Sequence, residues 1–175
     1  MKIEVVSPLT YKHYKDFFNF CIFGKSRFQS FFVKATFAFT LFFGAVFFGM
    51  FITGQQTGFA FFLSLLILVM YWFLLVRFPK IVYNSARTFY SAPSEYIFSE
   101  TGFTDHCKGE LHESTMAMSY ACIMKVYETP EYFFIFPDKS RGIIIDKSAF
   151  VAGRPEELRL LLMNALDAKK YITKM

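Results

Sequence analysis

Apolar positions along this chain follow two regimes. Through residues 31–52 and again through 59–78 they are nearly continuous and rich in phenylalanine. Each run holds one charge, Lys34 near the start of the first and Arg77 near the end of the second. Elsewhere apolar residues recur at helical or alternating spacing. A bilayer's hydrocarbon core is about 30 Å thick, which roughly 20 apolar residues span at about 1.5 Å rise each. The charge-free stretches 35–52 and 59–76 are 18 residues each, joined through Thr53-Gly54-Gln55-Gln56-Thr57-Gly58. The pattern predicts a two-helix transmembrane hairpin at 31–78. Two helices of this length in a 175-residue chain would leave too little protein to cover them as a soluble core.

Small residues fall at a common depth of such a hairpin. Ala45 and Gly49 on the first helix would lie level with Ala60 and Ser64 on the second. Lipid offers helices no hydrophobic drive to associate, so small faces that let backbones approach are expected at the contact. Tyr71 and Trp72, near the other end, suit an interfacial aromatic belt. Neither helix carries an acid or base at mid-membrane. Ion pathways and proton relays usually show one, which argues against a transporter acting alone.

Outside the hairpin the chain divides into an N-terminal segment (1–30), a linker (79–92) and a C-terminal domain (93–175). Ile3, Val5 and Val6 read as a short strand ended by Pro8, and the Thr10 hydroxyl is placed to cap a helix. Tyr14, Phe17, Phe18, Cys21 and Ile22 then recur at helical spacing. That stripe suits packing on a soluble domain and equally a helix lying on the bilayer. Pro79 is expected to break or bend the chain after the second span, before a basic, helix-compatible linker. From residue 94 the period changes to two. Strands are expected around 96–98, 103–107, 110–120, 125–129, 132–136 and 143–145, with hairpin turns at Lys108-Gly109 and Pro130-Glu131. Pro155 suits a first helical position, and Glu156 and Glu157 oppose the positive end of the helix dipole. Leu158, Leu161, Leu162, Ala165 and Leu166 make one apolar face, with Lys169 and Lys170 at the carboxyl end. The fold class is therefore a membrane α-helical hairpin plus α+β, a small antiparallel sheet or open barrel closed by a C-terminal helix.

Charge placement orients this arrangement. The net charge of +5 divides into +7 over residues 1–92 and −2 over residues 93–175. The surplus flanks the spans at Lys25, Arg27, Lys34, Arg77, Lys80 and Arg87, while the connector carries no charge. This is the positive-inside pattern, and it predicts both termini in the cytoplasm with the short connector outside. Anionic headgroups of the inner leaflet are natural partners of these cations. Nucleic acid is not, because the domain that would carry a binding platform is slightly acidic. The first thirty residues are mixed and charged, unlike a cleavable signal peptide. Cys21, Cys107 and Cys122 lack regular spacing and are expected to be reduced and structural.

Catalytic signatures are lacking in the sequence. There is no Gly-x-Ser-x-Gly, no Cys/His pairing of nucleophile type and no phosphate-cradling glycine loop. Asp105, His106, Cys107, Glu110, His112 and Glu113 form one run of metal-ligand types. Successive strand residues point to opposite faces, so His106 and Cys107 cannot both aim at one ion. His106 and His112 would face each other were the turn centred on Lys108-Gly109. No metal, cofactor or catalytic residue is expected.

The order of parts, with several motifs, resembles the YcxB-like family of bacterial membrane proteins. The likeness rests on Leu9-Thr10 with Tyr14 and Phe17/Phe18 before the hairpin, then on Phe98-Ser99-Glu100-Thr101-Gly102-Phe103 and on Met118-Ser119-Tyr120-Ala121-Cys122-Ile123-Met124-Lys125-Val126-Tyr127-Glu128-Thr129. Tyr132-Phe133-Phe134-Ile135-Phe136 and Ile143-Ile144-Ile145-Asp146-Lys147-Ser148-Ala149-Phe150 complete it. This chain has Tyr120 where the family usually has Trp, and Asp146 where it usually has Pro. The resemblance implies a cytoplasmic domain similar to bacterial pleckstrin-homology-like domains, in the plasma membrane, with no catalytic residues to carry over. It implies that Tyr120 is a core aromatic at a strand end and that Lys147 lies beside the last strand. Three functions follow as expectations. A membrane-anchored module that binds or regulates a protein leads, ahead of a lipid-headgroup binder and of an oligomeric subunit of a channel or transporter.

Overall fold

The computed structural model describes residues 2–54, 58–86, 93–108, 113–139 and 141–174. The chain divides into two compact units, Met1–His13 with Ala86–Met175, and Tyr14–Ser85.

In the helical unit, Ser26 caps α2 (Arg27–Ile52), its hydroxyl accepting the Gln29 amide at 3.4 Å. A second helix runs unbroken over Gly58–Ser85. It comprises α3 (Gly58–Trp72), a π-helical turn (Phe73–Arg77) and the first eight residues of α4 (Phe78–Ala86). Both are long and apolar enough to cross a membrane, with mean hydropathies of 2.1 and 2.6. Only 6% of either apolar window is buried, the opposite of a soluble core helix. Pro79 does not break the chain as expected. Its ring would collide with the carbonyl four residues back in an α-helix. The preceding turn instead widens, the Phe78 amide bonding the Phe73 carbonyl five residues back. At the other end of the unit, α1 (Tyr11–Asn19) passes into a π-helical turn over Phe20–Gly24.

The contact between α2 and α3 differs from the expected one. Ala45 and Gly49 are exposed, and a Cβ on Gly49 would meet nothing within 4 Å. Gly44 is the small residue at the contact, where a Cβ would come 3.2 Å from the hydroxyl of buried Ser64. Ala60 is half-buried. The rotation is set by a polar pair, Thr36 Oγ1 and Tyr71 Oη at 2.5 Å. Thr36 gives its own proton to the Phe32 or Val33 carbonyl, so the tyrosine donates. Thr36, Thr40, Gly44 and Phe48 are spaced by four and line one face; Ala45 and Gly49 are turned about 100° away. Phe48 and Phe51 pack on Phe61 with centroids 5.3 and 5.9 Å apart.

In the other unit the described residues form nine strands in two sheets. The first is antiparallel, in the order β4-β3-β2-β1-β8. Its strands are β1 (Ile3–Ser7), β2 (Ser94–Phe98), β3 (Gly102–Lys108), β4 (Glu113–Ser119) and β8 (Phe150–Ala152). The second runs β7-β6-β5-β9, with β5 (Lys125–Glu128), β6 (Tyr132–Phe136), β7 (Ile143–Asp146) and β9 (Tyr171–Thr173). No closed barrel forms among the described residues, and the C-terminal strand lies parallel to β5 rather than completing an antiparallel order. A parallel neighbour needs a crossover, which α5 (Pro155–Ala165) supplies. Between β8 and β9 it sends Leu158 and Leu162, with Leu166 just beyond its end, into the core. Lys169 and Lys170, expected at the helix end, lie in the turn after it.

Strand β1 is interior to its sheet: Ile3 pairs with Phe98 and Val5 with Tyr96, and on its other edge Glu4 and Val5 meet β8. Ile3, Val5, Phe98, Ile123, Val126, Phe133, Ile135 and Ile145 are fully buried, so both sheets and α5 share one core. Tyr120 lies in this core, in a short 3-10 turn joining β4 to β5, and its hydroxyl donates to the Ser99 carbonyl at 2.7 Å. Gly102 lets β4 approach β3 closely, since a Cβ there would sit 2.3 Å from the Met118 carbonyl oxygen. The β3–β4 turn is not centred on Lys108-Gly109. Lys108 pairs with Glu113 and His106 with Thr115, so Lys108 belongs to the ladder; Gly109 lies outside the described residues.

Candidate functional site

Two features of the folded unit have the chemistry of a site: a buried charge cluster around Glu128 and the outer edge of β4.

Glu128 ends β5 and is 1% exposed. Such a carboxylate needs compensation, and three elements supply it. Lys147, in the turn between β7 and β8, donates to Oε1 at 2.7 Å. Arg159 of α5 donates through Nε to both oxygens at 2.9 and 3.0 Å, and through a terminal nitrogen to Oε1. Tyr171 of β9 donates its hydroxyl to Oε2 at 2.6 Å. Burial alone would raise the Glu128 carboxyl, but bonds from Arg159, Lys147 and Tyr171 outweigh it and bring it down to about 2. Lys147 also lies 4.7 Å above the Phe133 ring. A general base is best placed near the operating pH. Glu128 lies far below it and acts as a tie between strands and helix. Thr173, Lys174, Pro155 and Glu156 line an open groove over the cluster.

A second tie holds the start of α1. The Thr10 hydroxyl accepts the His13 amide at 3.3 Å, the expected cap. The buried His13 ring has Nδ1 2.8 Å from the Pro8 carbonyl oxygen and Nε2 3.0 Å from Asp146 Oδ2. The Thr10 amide also reaches Nδ1, at 3.5 Å. The ring edge meets Tyr132 at a centroid distance of 5.7 Å. Burial would raise Asp146, yet it is held below the usual carboxylate range by the hydroxyl and amide of Ser148 and then by His13.

Among the described residues, the candidate metal run does not converge. Glu110 and His112 lie outside the described residues, and no group of three potential ligands gathers among those described. His106 Nδ1 pairs with the Thr115 hydroxyl at 2.9 Å. Asp105 lies across the strands from Tyr96 and Met116, on the face that carries Phe98 and Phe103. Its Oδ1 is buried without a hydrogen-bond partner. Burial raises this carboxyl, partly offset by His106 and by a bond from Ser94. Of the basic residues flanking the spans, Arg27, Lys34, Arg77 and Lys80 are exposed and Lys25 is half-buried; Arg87 lies outside the described residues.

Strand β4 is the opposite kind of feature, defined by what it leaves open. Six of its seven residues are exposed, and β3 is its one strand neighbour among the described residues.

A family model described as YcxB-like protein matches residues 112–162. Over this segment the chain is similar to that family. The resemblance read from the sequence is met over that span, which runs from β4 into α5. The YcxB-like segment contains the whole of β4 and three of the four cluster residues, Glu128, Lys147 and Arg159; Tyr171 lies beyond it. No curated protein and no solved structure matches the chain. Lys147, which the resemblance implies beside the last strand, follows β7, with β8 and β9 still to come, and no sequence motif singles out Glu128 or Arg159. The available signal is a lone acid, Glu128, directly after the apolar-rich run from Ile123 to Tyr127.

Proposed function

We propose that the chain is a membrane-anchored, non-catalytic binding or regulatory module. In this reading the hairpin crosses the plasma membrane with both termini in the cytoplasm, and the pleckstrin-homology-like unit docks an extended segment of a protein along β4. The observation that carries it is the exposed seven-residue edge, whose unpaired amides and carbonyls suit strand addition. Topology rests on the basic flanks Lys25, Arg27, Lys34, Arg77, Lys80 and Arg87 beside an uncharged connector. A Thr53→Cys variant lacking the native cysteines should react with a membrane-impermeant maleimide from outside intact cells. Reaction only after lysis would reverse the orientation. Cross-linking through β4 in native membranes should join the chain to a stoichiometric polypeptide, and repeated recovery of the chain alone would overturn the binding role.

A second reading, recognition of anionic lipid headgroups, draws on the exposure of Arg27, Lys34, Arg77 and Lys80. Positive-inside topology alone already accounts for these residues, so the protein-binding reading is preferred.

A further inference from the structure

Edges of natural sheets are commonly blunted by lysine, proline, a bulge or short length, because unpaired backbone groups recruit other strands. Strand β4 has none of these. It contains no lysine or proline, and its register with β3 runs without a shift from Lys108↔Glu113 to Gly102↔Ser119.

The side chains identify the strand that would complete it. Thr115-Met116-Ala117-Met118-Ser119 reads the same in both directions by chemical type: hydroxyl, thioether, methyl, thioether, hydroxyl. A two-fold axis through Ala117 sets a second copy antiparallel, with Ala117 opposite itself, Met116 opposite Met118 and Thr115 opposite Ser119. This register keeps each side chain on the face it already occupies. Met116 and Met118 lie on the face of Asp105 and Phe103. The four methionines of two copies would therefore form one row, where flexible thioethers fill the joint. The hydroxyls pair on the other face. No charge lies in the paired segment, and Glu113 falls beyond it. Isologous contacts require such self-complementarity, whereas an unrelated partner strand would not. We propose that two copies of the chain associate through antiparallel β4–β4 pairing centred on Ala117, joining their five-stranded sheets into one continuous sheet. The proposal rests on the edge-binding reading and names the partner as a second copy.

The test uses the full chain in native membranes and in detergent, with Cys21, Cys107 and Cys122 replaced by serine. Directly opposed residues of an antiparallel pair have Cα atoms about 4.5–5.5 Å apart, within the range a disulfide bridges. Ala117→Cys should form an intermolecular disulfide under mild oxidation. Thr115→Cys should do so only when mixed with a Ser119→Cys copy. Ala117→Lys sets two ammonium groups opposite each other at an exposed position, and should shift the mass in detergent from two copies to one with an unchanged far-ultraviolet circular dichroism spectrum. Equal cross-linking of Thr115→Cys with itself would overturn the proposal, as would a dimer whose mass ignores Ala117→Lys with its spectrum unchanged. Should Ala117→Lys fail to fold, the cysteine pattern decides alone. A chain that is monomeric but binds another protein's strand at β4 overturns self-pairing and leaves the binding role standing. A chain with neither association sinks both.

Discussion

At the scale of single residues, half-buried Asp105 and buried Glu128 act in opposite directions. Asp105 has one oxygen out of water without a partner, and its carboxyl is raised by burial. Its ionised form is thus less stable in the folded state than in the unfolded chain. The penalty is absent below the unfolded value of 3.8 and complete once pH exceeds the folded one. Asp105→Asn removes the charge at nearly constant shape, so its thermal midpoint at pH 7 should exceed that of the parent, and the gain should shrink toward pH 4. An unchanged midpoint would mean the oxygen is solvated after all. Glu128 behaves inversely. Its carboxyl falls from 4.5 to about 2, so its contribution is full above the unfolded value and is lost as pH drops through the folded one. A shift of that size corresponds to about 3 kcal/mol. Glu128→Gln leaves Lys147 and Arg159 without their counter-charge and should cost roughly 3 kcal/mol in denaturant unfolding at pH 7. That loss should narrow toward pH 2, where the parent also loses the charge.

At the scale of elements, one glycine separates two accounts of the hairpin. Gly44→Leu places a branched side chain against Ser64, where even a Cβ is tight, and should weaken the α2–α3 contact. Gly49→Ala meets nothing and should be neutral or stabilising by about 0.5–1 kcal/mol through helix propensity. Unfolding in detergent distinguishes them; equal sensitivity at both positions would restore the contact expected from spacing of small residues alone. That expectation missed because a twenty-residue run apolar on every side carries no moment to reveal its inward face. The deciding signal was polar, the hydroxyls of Thr36 and Tyr71. Span lengths, β5, β6, β7 and the apolar face of α5 were legible, since length and period carry them. Strands β8 and β9 were not: each is three residues long, too short for alternation to register, and each is held by a partner distant in sequence. The β3–β4 register escaped for a related reason. Lys108-Gly109 looks like a two-residue turn, whereas the structure pairs Lys108 with Glu113 and so places Lys108 in the ladder. The charge cluster was illegible because Glu128, Lys147, Arg159 and Tyr171 come from four separate elements and share no motif.

For the whole molecule, the order of segments along the chain is not the order of assembly in space. The sequence divides at the hairpin, which invites treating residues 93–175 as a free-standing domain. The structure instead places β1, from the opposite end of the chain, inside the first sheet, hydrogen-bonded to β2 on one edge and β8 on the other. Ile3 and Val5 are fully buried in the shared core. A fragment starting at residue 93 would lose the strand between β2 and β8, expose Phe98 and leave two edges unpaired, each a route to aggregation. It should therefore lack dispersed amide resonances in solution. Joining residues 1–13 to residues 93–175 through a flexible glycine–serine linker should restore them, because both partners of β1 are then present and closing a longer loop costs little. A fragment 93–175 that folds on its own would show that β1 is an accessory strand. If the linked form folds and the fragment does not, the hairpin is an insertion between two strands of one sheet. In the proposed membrane-anchored reading, the chain would then enter the bilayer after β1 and leave it before β2, tethering the folded unit at two points. Such double tethering would confine the folded unit to the membrane's plane and raise the local concentration of neighbouring copies, the condition under which the proposed short self-complementary edge would suffice for pairing.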